Sequence, residues 1–147
     1  MVKIFKTRLF VAFTIFVFTA SLSTAFAIDH PGYGVEGNIP FAFNAGDIQF
    51  PAGNYKIVRS SDVGLSMKIT NEDKNVSEFL IAEDMTVTKQ EQPAELIFHK
   101  IGGENFLSEI RTSGEVYQLE KSNQEKQLLM DGSKFVNHKV ASKQVKE

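Results

Sequence analysis

The chain has 147 residues, a formal net charge of −2 and no cysteine, which excludes disulfide scaffolds, thiolate metal sites and thiol catalysis. Hydrophobic residues make up 42% of the chain and charged residues 23%, a balance typical of one globular domain rather than a disordered chain. The charge is uneven, because the first 27 residues contain three basic residues and no acidic one.

The N-terminal segment, residues 1–27, has the three parts of a secretory signal peptide. A basic start is followed by an apolar run over residues 9–22 and by an Ala-Phe-Ala cleavage sequence. The run contains threonine and serine and is shorter than the ~18 apolar residues that a membrane anchor needs. We therefore predict a signal helix cleaved after Ala27, and an exported protein, periplasmic or extracellular, with no membrane span after cleavage.

The mature chain has 120 residues, of which 13 are basic and 18 acidic, so its net charge is −5. This charge argues against nucleic acid as a partner, since nucleic acid binding depends on clustered lysine and arginine. A chain of this size buries about two thirds of its surface on folding. One core is therefore expected to suffice without cross-links.

Apolar and polar residues alternate through most of the mature chain, which predicts β-strands. The alternation is clearest over residues 35–43 and 65–70, and clusters of Pro, Gly, Asn and Asp separate the segments every ~8–12 residues. We predict a mainly β fold: a single antiparallel barrel or sandwich of about seven or eight short strands with one short C-terminal helix. Pro40 lacks a backbone donor, which favours an edge or a bulge for residues 35–43. Residues 79–82 are predicted to be a strand covered on both faces.

Gly102 and Gly103 predict a tight hairpin between the strands at residues 95–101 and 105–111. A two-residue loop places His99 opposite Phe106, and a longer loop moves it by one residue. Because a shift of one residue moves a side chain to the other face, the loop length decides every partner of His99.

Helical character occurs only near the end of the chain. Ser122 and Glu125 form a possible capping box, and Gly132 is placed to end a helix at about residues 122–131. The β-rich domain is accordingly expected to span residues 28–132. Residues 133–147 carry four lysines and one glutamate and are interpreted as a basic, flexible tail. The alternative is a contact for anionic glycans or lipid headgroups.

Four segments together resemble a known family: residues 38–43 (NIPFAF), 50–55 (FPAGNY), 96–100 (LIFHK) and 105–110 (NFLSEI). The family comprises short exported bacterial proteins of uncharacterised function, with the motifs V-P-F-x-F, L-P-A-G-x-Y, L-V-F-H-R-Y-G, Y-F-L-S-E-V-W and, near the end, L-P-K-S-x-x-E. The resemblance implies a small, secreted, β-rich bacterial protein. It transfers no catalytic residue. The chain departs from the motifs at four positions: Phe50, Ile101, Arg111 and Glu120.

The histidines are the first candidates for chemistry. His99 suits a general base or a metal ligand if Glu109 or Glu95 lies beside it, but a histidine held in the core by a carbonyl or carboxylate is the favoured interpretation. A zinc site of His30, His99 and His138 would need both chain ends to fold back.

Other signatures of enzymes and metal sites are missing or weak. Ser66 follows Gly64 but lacks the second glycine of a nucleophile elbow, and no zinc-protease or phosphate-loop motif occurs. The pairs at residues 72–73 and 83–84 contain adjacent acids that suit calcium, but neither has the spacing of a calcium loop. We assign no catalytic, cofactor-binding or metal residue.

A series of aromatic residues is expected to fill the core, with an apolar ligand pocket as the alternative. Its members are Phe41, Phe43, Phe50, Tyr55, Phe79, Phe98 and Phe106. The leading hypothesis is an exported, non-enzymatic, envelope-associated binding or structural module, without a cofactor, whose partner is a protein, a glycan or a small apolar ligand. The alternatives are a lipocalin-like carrier, which needs an apolar cavity of roughly 300 Å³, and a carboxylate-dependent hydrolase.

Overall fold

The computed structural model describes residues 33–60 and 65–146. The predicted signal peptide and His30 lie outside this part of the chain. The described residues form eleven strands and one helix. These are β1 Tyr33–Ile39, β2 Phe43–Ala45, β3 Ile48–Phe50, β4 Gly53–Arg59, β5 Ser66–Asn71, β6 Val76–Val87, β7 Glu95–Ile101, β8 Glu104–Arg111, β9 Glu115–Leu119, α1 Asn123–Met130, β10 Val136–Ala141 and β11 Lys143–Lys146.

The strands form one sheet in the order β10-β7-β8-β9-β6-β5-β4-β1-β11, and β2 and β3 form a hairpin that joins β8. All pairings on the main path are antiparallel; β2 meets β8 in parallel through Asn44 and Phe106. The prediction of a mainly β fold with one short C-terminal helix is confirmed. The strands outnumber the seven or eight expected, because β2 and β3 have three residues each and two more strands lie after α1.

The interpretation of residues 133–147 as a flexible tail is wrong. In β10, Val136 pairs with Lys100 of β7, and in β11, Lys143 pairs with Glu36 of β1. Only Ser142 separates these two strands, so the chain passes directly from one end of the strand order to the other. Most β10 side chains are exposed, so backbone hydrogen bonds rather than buried side chains hold this segment in the sheet. The strands therefore cannot be predicted from the side-chain composition of the segment.

A glycine in β1 allows this passage. A Cβ atom on Gly37 would lie 3.2 Å from Cβ of Ser142 and 3.4 Å from the carbonyl oxygen of Ala141. These distances are shorter than most contacts of real side chains. A residue without a side chain therefore lets the bend at Ser142 lie against β1.

The prediction of one strand over residues 35–43, at an edge or at a bulge, is also wrong. β1 ends at Ile39 and lies between β4 and β11, so both of its edges are paired. Pro40 follows directly, and its missing N–H prevents the ladder from continuing. The chain resumes as β2 at Phe43 on the other side of the core.

Aromatic side chains fill the core as predicted, with one exception. Phe43 stacks on Phe50 at 5.2 Å and meets Phe98 edge-on at 5.4 Å, an arrangement that aromatic rings favour. The Tyr55 hydroxyl donates to the carbonyl of Pro51 at 2.6 Å. Phe79 is the exception, being 63% exposed.

The hairpin between β7 and β8 has the predicted two-residue loop. Gly102 and Gly103 both have positive φ, and His99 lies opposite Phe106. The register shifts by one residue between Ile97 and Phe98, a β-bulge. The partners of His99 therefore follow from the tight loop, as predicted.

Candidate functional site

The first half of β6 has a hydrogen-bonded neighbour on one side only. β5 pairs with β6 from Val76 to Ile81, whereas β9 pairs with it only from Ala82 onward. After β9 the chain leaves the sheet, because Ser122 caps the start of α1. Within residues 33–60 and 65–146, no strand lies beside the second edge of residues 76–81.

The antiparallel ladder determines which backbone groups face this open side. Ala82 N–H donates to the carbonyl of Leu65 at 2.8 Å, so the even-numbered residues of this half of β6 bond to β5. On the other side, the carbonyl of Ile81 accepts a 3.4 Å hydrogen bond from the residue that follows β9. The N–H and C=O groups of Ser77 and Phe79 therefore point into the open side.

Two large apolar side chains project from this edge to solvent. Phe79 is 63% exposed and Ile81 is 67% exposed, while Leu80 and Ala82 between and beside them are buried. The prediction of a strand covered on both faces is therefore wrong. One face of the first half of β6 packs on the core, and no layer formed by the described residues covers the other, so Phe79 and Ile81 face solvent.

A groove separates this edge from the β2–β3 hairpin, and we call it the edge groove. It has a volume of about 220 Å³ and is lined by residues 45–48, 79–81 and 119–123 together with Lys126. Gly46, with φ of +58°, permits the two-residue turn that joins β2 to β3. Ile48 extends the apolar surface on this side of the groove and is 38% exposed.

Most charged groups around the edge groove have a hydrogen-bond partner. Both carboxylate oxygens of Asp47 accept hydrogen bonds of 3.0 Å from Asn123 at the start of α1. Lys126 donates to Glu120 at 3.2 Å. Lys121 lines the groove without an ion pair to any other residue that the structure describes.

A buried polar pair fixes α1 beside the groove. His99 Nδ1 lies 2.7 Å from Glu125 Oε1, and the ring of Phe135 stacks on the imidazole with 4.0 Å between centroids. Ser122 Oγ accepts from the N–H of Glu125 at 3.0 Å, which confirms the predicted N-cap. The carboxylate of Glu125 bonds to His99 instead of returning to Ser122, so only half of the capping box forms.

The acids proposed beside His99 have other partners. Glu109 receives two hydrogen bonds from Arg111, of 2.7 and 3.0 Å. Glu95 lies 3.4 Å from Lys139 and 3.9 Å from Arg111. His99 is therefore a histidine held in the core by a carboxylate, the favoured interpretation, although Glu125 provides that carboxylate.

The other candidate metal ligands do not come together. His138 lies against the ring of Phe41 at 4.8 Å. Asp73 accepts hydrogen bonds from the backbone and side chain of Asn54, and Asp84 accepts one from its neighbour in β6. Across residues 33–60 and 65–146, no three His or acidic side chains form a group able to hold a metal ion.

Three titratable groups have shifted pKa values, and all three lie outside the edge groove. Burial raises the pKa of Tyr55, and burial together with a hydrogen bond to Glu115 raises that of Tyr117. The hydrogen bonds from Asn54 lower the pKa of Asp73. None of these three groups lines the groove, so the shifts reflect packing and turn geometry.

Comparisons of the chain with protein-family models, curated proteins and solved structures gave no match. Among the described residues, no helix has both the length and the hydrophobicity needed to cross a bilayer. The role of the edge groove is therefore inferred from its own geometry. Sequence reasoning missed Phe79 and Ile81, for which the available signal was the run VSEFLI at residues 76–81, with one charged residue.

Proposed function

We propose that this protein is an exported, non-enzymatic, envelope-associated binding module and that the edge groove is its binding surface. Export is proposed on the basic, apolar and small-residue pattern of residues 1–27. The binding role rests on one observation: the open edge of β6 presents Phe79 and Ile81 to solvent beside a groove. The resemblance to short exported bacterial proteins agrees with this proposal.

An open apolar strand edge is a liability that soluble proteins usually reduce. Lysine, proline, a bulge or a covering segment blunts most exposed edges, because unpaired backbone groups recruit other chains. Residues 76–81 contain none of these features, and their one charge, on Glu78, is half-buried. Retaining such an edge favours a surface that binds something.

The same observations favour a surface binder over the two alternatives. A small-ligand carrier needs an enclosed apolar cavity of roughly 300 Å³ or more. The edge groove has about 220 Å³ and opens to solvent, and the larger grooves, of about 300 to 740 Å³, are also open and are lined mainly by polar and charged residues. Tyr55, Tyr117 and Phe43 fill the core. A carboxylate hydrolase needs converging acids in a cleft, whereas Asp47 and Glu120 at the groove already bind Asn123 and Lys126.

Native mass spectrometry of the mature protein, purified gently from the envelope of its own host, tests the proposal. We expect the wild type to carry a reproducible extra mass. The double variant Phe79→Thr/Ile81→Thr should lose it, because threonine suits a strand but removes the apolar contact. Val87→Thr is the matched control, since Val87 is 68% exposed on the same strand outside the groove.

Two results would contradict the proposal. One is a wild-type protein that carries no extra mass at any concentration found in the envelope. The other is an extra mass that the double variant retains, which would place the binding surface elsewhere.

A further inference from the structure

We infer that the occupant of the edge groove is an extended polypeptide segment that pairs with β6, with apolar residues at alternate positions and a carboxylate near Lys121. The inference rests on the proposed binding function and specifies the chemistry of the partner. It follows from the backbone, the boundaries, the side chains and the charges of the groove.

The unpaired backbone N–H and C=O groups of the open edge are complementary to those of another extended polypeptide. Ser77 and Phe79 direct their N–H and C=O groups away from β5, and such groups repeat along a strand at two-residue intervals. An extended peptide presents donors and acceptors at the same spacing, whereas glycans and lipid chains do not. Added strands bind in this way to many open sheet edges.

The groove is bounded on two sides by other parts of the protein. The turn at residues 45–48 bounds one side and the segment 119–123 bounds the end. The volume of about 220 Å³ is below the ~300–1,000 Å³ typical of small-molecule pockets. A second folded copy is disfavoured as the occupant, because the strands that flank its sheet edge would collide with the β2–β3 turn. The His99–Glu125 pair holds α1 in place, so the site is formed before binding.

The exposed side chains favour alternating apolar residues in the partner. Phe79 and Ile81 project from the same face of β6, and Ile48 lies across the groove. A strand paired with β6 presents every second residue to this face. Apolar residues at those positions would cover Phe79 and Ile81 from water.

The charges at the groove favour a carboxylate in the partner. Asp47 and Glu120 already accept bonds from Asn123 and Lys126. Lys121 in the groove, and Lys68 opposite Phe79 on β5, have no ion pair with any residue in the described ranges. Lys121 can therefore form an ion pair with an acidic residue of the partner placed beside it.

A displayed library of random dodecapeptides provides the probe. Peptides are selected on the mature wild-type protein and counter-selected on Phe79→Thr/Ile81→Thr. We expect the enriched peptides to alternate apolar and polar residues and to contain an acid. N-methylation of the edge-facing backbone nitrogen of a selected peptide should weaken binding at least about tenfold, because it removes a donor and adds bulk.

Variants of the protein test the backbone and charge contacts that it would make with the peptide. Ser77→Pro removes an N–H on the open edge of β6 and no backbone hydrogen bond to β5, a position where strands tolerate proline. It also removes the 3.0 Å contact of Ser77 Oγ with Thr70 Oγ1 of β5, which Ser77→Ala removes equally. It should weaken peptide binding about tenfold, whereas Ser77→Ala, which keeps the N–H, should not. Lys121→Gln should weaken binding of acidic peptides about two- to fivefold, as expected for an exposed ion pair. Urea unfolding of each variant verifies that it is folded.

The outcomes separate this inference from the proposed function. If no peptide is enriched, or if N-methylated peptides bind equally well, the inference is overturned. A groove-dependent dimer in sedimentation experiments also overturns it, because a second copy would then be the occupant. None of these results bears on the proposed binding function, which native mass spectrometry tests independently. That function stands if the extra mass is lost in Phe79→Thr/Ile81→Thr, and it fails if the double variant retains the extra mass.

Discussion

His99 Nδ1 and Glu125 Oε1 lie 2.7 Å apart, although the two residues are 26 positions apart in the chain. Both are buried, with 7% and 2% of their surfaces exposed. Glu125 is the buried residue of α1, and Met130 at the other end of the helix is 79% exposed. This polar pair therefore connects α1 to β7.

Removing the carboxylate of this pair should release the helix. We expect Glu125→Ala to lower the free energy of unfolding by about 3 kcal/mol, because His99 is left buried without its partner. Glu125→Gln should cost less, about 1 kcal/mol, since an amide still forms one hydrogen bond. Urea unfolding followed by circular dichroism measures both. An equal loss for exposed Gln127→Ala, expected to be within about 0.5 kcal/mol of wild type, would contradict the prediction.

Gly34 should tolerate no side chain. A Cβ atom there would lie 2.5 Å from the carbonyl oxygen of Ile57 and 2.7 Å from Cγ1 of Val58. We expect Gly34→Ala to destabilise the protein by about 1–3 kcal/mol through overpacking. Gly114→Ala is the control, because nothing lies within 4 Å of its Cβ. Thermal unfolding of the two variants should separate them, and similar midpoints would contradict the close approach of β1 and β4.

Asp73 should contribute to the acid stability of the protein. Its hydrogen bonds from Asn54 lower its pKa in the folded state, so the stabilisation is present above the unfolded pKa of about 3.9 and is lost as the pH falls below that value. Asp73→Asn should flatten this part of the stability–pH curve. Urea midpoints at several acidic pH values measure the effect. A slope that Asp73→Asn leaves unchanged would refute the assignment.

Substitution by alanine should lower stability strongly at Phe98 and hardly at all at Phe79. Phe98 is fully buried against Phe41 and Phe43, so Phe98→Ala should cost about 3–5 kcal/mol. Phe79 is 63% exposed, so Phe79→Ala should change stability by no more than about 0.5 kcal/mol. Denaturant unfolding measures both, and a large loss for Phe79→Ala would mean that β6 is covered on both faces.

Local signals in the sequence predicted several elements correctly. Gly102 and Gly103 have no Cβ penalty at positive φ, so they predicted the tight loop and the pairing of His99 with Phe106. Ser122 predicted the helix start, because its hydroxyl accepts from a nearby backbone N–H. Each of these features depends on residues close together in the chain.

Features that depend on distant partners were missed. The strand pairing of residues 136–146 is held by β7 and β1, and the weakly apolar side chains of that segment gave no sign of it. The apolar run around Phe79 resembles a buried strand, and its exposure follows from the absence of a second layer over β6. Glu125 was read as a cap residue, yet its partner comes from a strand formed earlier in the chain.

The sequence by itself determined the strand-rich class, the turns and the start of α1, because alternation, glycine and capping residues act over a few positions. Only the tertiary structure decided which strand edge stays open, which aromatic residue faces water and which carboxylate binds His99. These depend on where the chain leaves the sheet after β9. That departure brings together residues far apart in the sequence, and it leaves the backbone of Ser77 and Phe79 without a second neighbouring strand among the described residues.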